Sequence, residues 1–226
     1  MRTSEHIGYV QSIQGNYGVV YSKTWNEEYY FDINSQTKHL KKMDKVVFLV
    51  TPSSYYKEEK ATALRKIFTN SKGLVFYPRV NQTHIHLDTE RFLPYLIDQV
   101  KDKSQEIVEI EYEFNEVIGQ SLCVEVSEND TIVYAIRKGR NKHTKFVLNR
   151  NAENCKSVFA VFKKTELGYL ILTIFIGKKA GREPWDNFAT LEDKKFWSNH
   201  ALIFDSNEII QNTITKTCPV YCKNTA

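Results

Sequence analysis

The sequence predicts two domains, a small all-β barrel followed by an α+β domain with a mainly antiparallel sheet. Three observations support this division. Residues 1–68 contain short alternating segments without a helical pattern, and residues 69–82 carry Gly, Pro and Asn around one short apolar run. Residues 83–226 combine helical segments with further strands. We therefore expect the barrel over 1–68 and the α+β domain over 83–226.

The barrel prediction depends on five short segments that alternate in polarity and are rich in β-branched and aromatic side chains. Turn residues such as Gly15, Asn26 and Asn34 separate them. Five strands are the strand count of the OB-type barrel, whose second and third strands offer a face for nucleic acid. In chain order the segments are IGYVQSI, YGVVYS, EEYYFDI, KVVFLVT and ATALRKI.

The composition predicts a folded cytoplasmic protein without metal or other cofactor. An apolar content of 42% and a charged content of 26% are ordinary for a globular chain of 226 residues. The start, MRTSEHIGYV, lacks the apolar core of a secretory signal, and no stretch approaches the ~18 apolar residues of a membrane span. Four cysteines are too scattered for a disulfide framework, and CPVYC has no second ligand pair for zinc.

Charge is separated along the second domain. Every charged residue between Ser104 and Asp130 is acidic, and every charged residue between Thr131 and Ala152 is basic. A basic block of this kind is either a solvated face or an electrostatic footprint for a polyanion. The net charge of the whole chain is only +4, so the distribution is more informative than the total.

Aromatic residues on neighbouring strands have a direct use in binding single-stranded nucleic acid. Stacking of a base on an aromatic ring contributes about 1–3 kcal/mol and tolerates any sequence. Tyr17 has Gly15 and Gly18 close by, which would let a base approach closely. The alternative is that Tyr17, Tyr30 and Phe31 fill the barrel, and strand alternation places Tyr30 and Phe31 on opposite sides.

Four segments also match the pattern of a known family: GYV in the first strand, GNYGVV, YYFDINS and LKKMDKVVFLV. The last aligns with the family's stretch of Leu, two or three residues, then Gly-Asp-x-Val-x-Phe. On these segments, residues 7–68 resemble a cold-shock domain. In that family the rings of the two aromatic strands stack on successive RNA bases. The resemblance implies that Tyr17, Tyr30 and Phe31 are the stacking residues, with Trp25 in the next loop as an addition.

Three positions in or beside the two aromatic strands depart from the cold-shock pattern. Gln14 stands where the family has a lysine, Val19 where it has a second exposed aromatic residue, and Asp32 where it has a histidine. A carboxylate at position 32 would repel phosphate. We therefore expect a weakened RNA-binding face rather than a lost one.

The basic block predicts a hairpin whose turn, at 139–142, gathers cations at one rim. Such a rim can hold a phosphodiester and stabilise charge on phosphorus. His143 and His200 are the candidates for proton transfer, because histidine titrates near neutral pH. Each has a structural alternative, a solvated turn residue for His143 and a hydrogen-bonded junction residue for His200. The cations of the rim are Arg137, Lys138, Arg140, Lys142 and Lys145.

The second domain has an architectural similarity to a further group of proteins. It depends on a helix followed by an antiparallel sheet, the basic hairpin, and the segments EPWD and FWSNHALIF. Over residues 83–215 the chain resembles the superfamily of RNA-cleaving toxins and nucleases that includes barnase, EndoU, colicin-type and RelE-type enzymes. These enzymes generally need no metal and use the 2′-hydroxyl of the substrate as nucleophile. The resemblance implies that Lys145 and Arg140 bind the phosphate and that His143 or His200 moves protons.

These features predict an RNA-binding protein with metal-independent endoribonuclease activity in its C-terminal domain. The expected partners are single-stranded RNA and, by the toxin resemblance, an inhibitory protein, and no membrane is expected. The alternative is a noncatalytic single-stranded RNA-binding regulator or a partner-docking protein. In that case the basic hairpin merely pairs with the acidic row at 109–113.

Overall fold

The computed structural model describes residues 5–52, 59–79, 87–101 and 104–218, and these residues form a mostly β protein. The chain divides into two compact units. The first comprises Met1–Ile110 and Ala160–Phe175, and the second comprises Glu111–Phe159 and Ile176–Ala226. The predicted domain bounds of 1–68 and 83–226 stay a prediction.

A closed five-stranded barrel lies in the first unit, which confirms the predicted small all-β barrel. The strands follow the barrel order β1-β2-β3-β5-β4. All pairings are antiparallel except that of β3 with β5, which closes the barrel in parallel. The strands are β1 (Glu5–Gln14), β2 (Tyr17–Ser22), β3 (Glu27–Asp32), β4 (Lys45–Pro52) and β5 (Glu59–Lys66).

Alternation along these strands builds the barrel core. Every second residue of β2 and β3 is buried, among them Val20, Tyr29 and Phe31, and Val10 and Phe48 meet them from β1 and β4. Gly18 makes room for one of these rings, because a Cβ at position 18 would lie 2.3 Å from Cζ of Phe31. The residues between the buried positions face outward, so β2 and β3 present a second, accessible row of side chains.

In the rest of the chain, the described residues form short strands and two α-helices. In chain order the elements are β6 (Phe68–Thr69), β7 (Val75–Pro78), α1 (Leu93–Asp98), β8 (Ile107–Glu113), β9 (Gly119–Ser121), β10 (Cys123–Glu125), β11 (Ile132–Ile136), β12 (His143–Val147), β13 (Glu153–Cys155), β14 (Ser157–Lys164), β15 (Tyr169–Ile176), α2 (Leu191–Asn199) and β16 (His200–Ile203). A 3-10 helix, Leu87–Phe92, precedes α1, and Pro94 is in the first turn of α1, as expected from the sequence.

The second unit contains a four-stranded sheet in the order β10-β16-β12-β11. Its pairings are antiparallel except for β12 with β16, which is parallel. One face packs Phe146 against Val133 and Leu202, and the other packs Val147 against Val124 and Ala201. Both faces of this sheet therefore pack against apolar side chains. A polar side chain buried on either face needs a hydrogen-bond partner on that face.

Candidate functional site

Among the described residues of the barrel, Tyr17 and Tyr30 form the most exposed aromatic pair, which we call the ring face. Their side chains are 43% and 54% exposed. The ring centroids lie 5.9 Å apart with an interplanar angle of 59°. The pairing of β2 with β3 brings them together, since Val19 faces Tyr30 and Tyr17 faces Asp32. Two adjacent rings open to solvent can each accept the face of a base.

Phe31 does not belong to the ring face, and the prediction that it stacks on RNA is corrected here. Its ring is 1% exposed and packs in the barrel core with Tyr29, Phe48 and Val20. The physical reason is the two-residue period of β3, which sends consecutive side chains to opposite sides. A single strand therefore supplies one ring to each side at positions 30 and 31.

Trp25 lies in the turn between β2 and β3 and is 39% exposed. Its indole Nε1 donates a 2.8 Å hydrogen bond to Nδ1 of His6, and the two rings meet edge to face at 5.5 Å. This bond fixes the orientation of the indole, so Trp25 is a preordered ring rather than a loose one.

Asp32, the residue expected to repel phosphate, is paired with Lys60. The carboxylate accepts a 3.0 Å hydrogen bond from Nζ of Lys60. The pair follows from the parallel contact of β3 with β5, in which Tyr30 is in register with Lys60. Lys60 thus places a cation beside the ring face and offsets the negative charge of Asp32. Sequence analysis missed Lys60 because only barrel closure brings β5 next to β3.

The turn of the predicted hairpin carries exposed cations in the second unit. Strands β11 and β12 pair as expected, and Gly139 takes a positive φ of 76° in the turn. Lys138, Arg140 and Lys142 are exposed and form no ion pair with a described residue. Arg137 is different, because it is 3.1 Å from the carboxylate of Glu183, which also accepts a hydrogen bond from the Thr144 hydroxyl.

Lys145, predicted to bind phosphate, is instead buried at the end of α2. Lys145 is only 7% exposed, and its Nζ donates hydrogen bonds to the carbonyl oxygens of Trp197 (3.1 Å) and Ser198 (2.7 Å). Burial lowers the pKa of this ammonium group. The last carbonyls of a helix have no partner within the helix, so Lys145 satisfies groups that would otherwise be left unpaired.

The two candidate histidines lie on opposite faces of the four-stranded sheet. Phe146 pairs with Leu202, and His200 lies two residues before Leu202, so His200 is on the same face as Phe146. His143 and Lys145 alternate with Phe146 along β12 and therefore lie on the other face. His143 donates through Nε2 to the carbonyl oxygen of Thr213 at 3.1 Å.

His200 donates through Nδ1 to the carbonyl oxygen of Phe196 at 2.9 Å. Its ring also stacks on the Phe196 ring at a centroid distance of 3.9 Å. Both contacts are local, because Phe196 belongs to the last turn of α2 and His200 begins the strand that follows it. The structure therefore does not bring His143, Lys145 and His200 together on one surface.

We compared the sequence with protein-family models and with curated proteins. No protein-family model matches it, and no curated protein matches its sequence. The cold-shock and ribonuclease resemblances therefore stay predictions. Among the described residues, none of the helices has the length and apolar character needed to cross a bilayer. The same residues contain no group of three or more His, Cys, Asp and Glu side chains that could hold a metal ion.

Proposed function

We propose that the protein binds single-stranded RNA through the ring face of its barrel, which we interpret as an OB-type barrel of the cold-shock kind, and that it acts as a noncatalytic RNA-binding protein. The observation that carries the proposal is the exposed pair Tyr17 and Tyr30 on adjacent strands. Rings that only stabilised the barrel would be buried, as Tyr29 and Phe31 are.

The charges around the ring face support binding of a polyanion. Asp32 is compensated by Lys60, so the deviation from the cold-shock pattern does not leave an uncompensated negative charge beside Tyr30. A cation next to stacked bases can contact the phosphate that links them. Trp25, held by His6, offers a further ring at the end of β2.

The endoribonuclease function has weaker geometric support and stays a prediction. A cleavage site needs a proton-transfer group and phosphate-binding cations within reach of one phosphodiester. Lys145 donates to two carbonyl oxygens instead, and His143 and His200 lie on opposite faces of one sheet. These arrangements favour the noncatalytic alternative, in which the exposed cations Lys138, Arg140 and Lys142 bind phosphate without cleavage.

The test is binding of a fluorescently labelled mixed-sequence single-stranded RNA, followed by anisotropy. The double variant Tyr17→Ala/Tyr30→Ala removes two stacking surfaces of about 1–3 kcal/mol each, so we expect affinity to fall by roughly thirtyfold to ten-thousandfold. The matched control is Tyr95→Ala, which removes an exposed tyrosine of α1 and should leave affinity unchanged.

Two results would contradict the proposal. One is a wild-type protein that does not bind the RNA. The other is a double variant that binds as tightly as the Tyr95→Ala control. Phe31→Ala gives a useful contrast, because truncation of this buried ring should lower the free energy of unfolding by about 3–5 kcal/mol without removing a stacking surface.

A further inference from the structure

A cluster of lysines that the ring face does not include lies between the end of β3 and the first residue of β4, and we call it the lysine loop. It consists of four exposed residues within eight positions of sequence, none of which forms an ion pair with a described residue: Lys38, Lys41, Lys42 and Lys45. The one acidic residue of the segment, Asp44, does not neutralise them. Its carboxylate pairs with Lys66 at 3.4 Å and accepts the backbone N–H of Lys41.

Four like charges this close repel one another unless an anion lies among them. The segment is nevertheless held in a fixed shape. The backbone of Met43 donates to the carbonyl of Val10, and Val10 donates to the carbonyl of Asp44, at 2.8 and 2.9 Å. The lysine loop is therefore a concentrated positive charge on a well-ordered turn, which is the arrangement that binds a polyanion at low entropic cost.

The register of the barrel places this loop beside a second pair of rings. Lys45 is opposite Tyr9 in the β4–β1 pairing, and Tyr9 is opposite Tyr21 in the β1–β2 pairing. The Tyr9 and Tyr21 rings are half-buried, and their centroids are 5.3 Å apart. On the other side of Tyr21, β3 contributes Glu28. Across this row of four strands the charge thus runs from negative at β3 to positive at β4.

We propose that the lysine loop is a phosphate-binding subsite that extends the RNA path from the ring face, across Tyr9 and Tyr21, to the start of β4. This inference rests on the proposed RNA-binding function. The path runs diagonally because Tyr17 and Tyr21 lie near opposite ends of β2. From Tyr21 the RNA continues towards β4, where Lys45 is positive, and away from β3, where Glu28 is negative. The RNA backbone lies over the lysines, and bases stack at the ring face.

The length of this path gives the proposal a measurable consequence. Four residues along β2 span about 13 Å, and the step from β2 to β4 crosses two strand spacings, about 10 Å, so the diagonal is about 16 Å. At the ~3.4 Å per nucleotide of a stacked strand, this distance corresponds to about five nucleotides. A tetranucleotide on the ring face therefore does not reach the lysine loop, whereas a decanucleotide does.

The experiment compares wild type with Lys41→Gln/Lys42→Gln/Lys45→Gln for a tetranucleotide and a decanucleotide of single-stranded RNA across a salt titration. Each phosphate contact on a single strand contributes about 0.7 to the slope of log affinity against log salt. For the decanucleotide we expect the slope to fall by about 2, which at 0.1 M salt is roughly a hundredfold loss of affinity. For the tetranucleotide we expect affinity to stay within about threefold of wild type.

The control variant carries the same charge change outside the barrel strands, at three exposed lysines: Lys101→Gln/Lys163→Gln/Lys164→Gln. It should keep the wild-type slope with both oligonucleotides. Equal slopes for the lysine-loop variant and this control would overturn the subsite. Equal losses on the tetranucleotide and the decanucleotide would also overturn it, because the lysines would then act at the ring face itself. Failure of the proposed function looks different, since wild type would bind neither oligonucleotide.

Discussion

Met43 holds a backbone conformation that side chains with a Cβ disfavour. Its φ is 72°, and the side chain is 66% exposed, so little packing compensates for the strain. The cold-shock pattern has glycine at the corresponding position of the Leu-x-x-Gly-Asp segment, and the positive φ gives a physical reason for glycine there. The same turn positions Lys41, Lys42 and Lys45, so a single residue combines local strain with the geometry of the lysine loop.

Met43→Gly should stabilise the protein. The left-handed region costs a residue with a Cβ about 1–2 kcal/mol, and glycine avoids this cost. Glycine also has greater freedom in the unfolded chain, which lowers the free energy of unfolding by about 0.5–1 kcal/mol. We expect a net gain of about 0.5–1 kcal/mol in the free energy of unfolding, measured by urea denaturation. Met43→Ala keeps the Cβ and should show no gain. A gain of the same size in both variants would contradict this explanation.

At the scale of elements, α2 is held at both ends by side chains that differ in chemistry. At its start Thr190 and Asp193 form a capping box, in which the Thr190 hydroxyl accepts from the Asp193 N–H and the Asp193 carboxylate accepts from the Thr190 N–H. At its end Lys145 donates to the carbonyls of Trp197 and Ser198. The helix is thus tied to the middle of β12 by a buried cation.

The burial of Lys145 predicts a specific dependence of stability on pH. Burial lowers the pKa of Lys145 in the folded protein, so the folded state releases this proton at a lower pH than the unfolded chain does. Between the lowered pKa and the unfolded value of about 10.4, the unfolded chain binds more protons, and the contribution of Lys145 to the free energy of unfolding rises with pH.

We expect Lys145→Met to lose this alkaline increment, measured as the difference in urea midpoint between pH 8 and pH 10 relative to wild type. The exposed neighbour Lys142 provides the control, because Lys142→Met should keep the wild-type difference. An unchanged pH dependence in Lys145→Met would show that the ammonium group is not buried in solution.

For the whole molecule, the question is whether RNA is bound only or also cut. Under the proposed function, purified protein with EDTA leaves a mixed pool of single-stranded RNA intact while binding it, as gel analysis of the RNA length distribution would show. Cleavage that persists with EDTA and disappears in His200→Ala would contradict the noncatalytic function and support the predicted endoribonuclease. Cleavage that His200→Ala does not remove would point to a different catalytic group or to contamination.

Local pattern predicted the parts of the fold that depend on near neighbours in sequence. The alternation of five short segments predicted the strands and the small barrel, and the two-residue period of β3 placed Tyr30 and Phe31 on opposite sides. The turn at Gly139 and the pairing of β11 with β12 were equally accessible, because a hairpin brings together residues that are close along the chain. Polarity period and turn chemistry are short-range properties, and they are present in the sequence itself.

The tertiary structure alone decided which charged groups are free. Barrel closure brings Lys60 into contact with Asp32. The packing of α2 brings two of its carbonyl oxygens within hydrogen-bond distance of Lys145, and the register of the second sheet puts His143 and His200 on opposite faces. Each of these partners is many positions away in the sequence, so composition and spacing could not reveal them. The charge of a residue is a property of the sequence, but its availability depends on burial and partners, which exist only once distant strands and helices have packed.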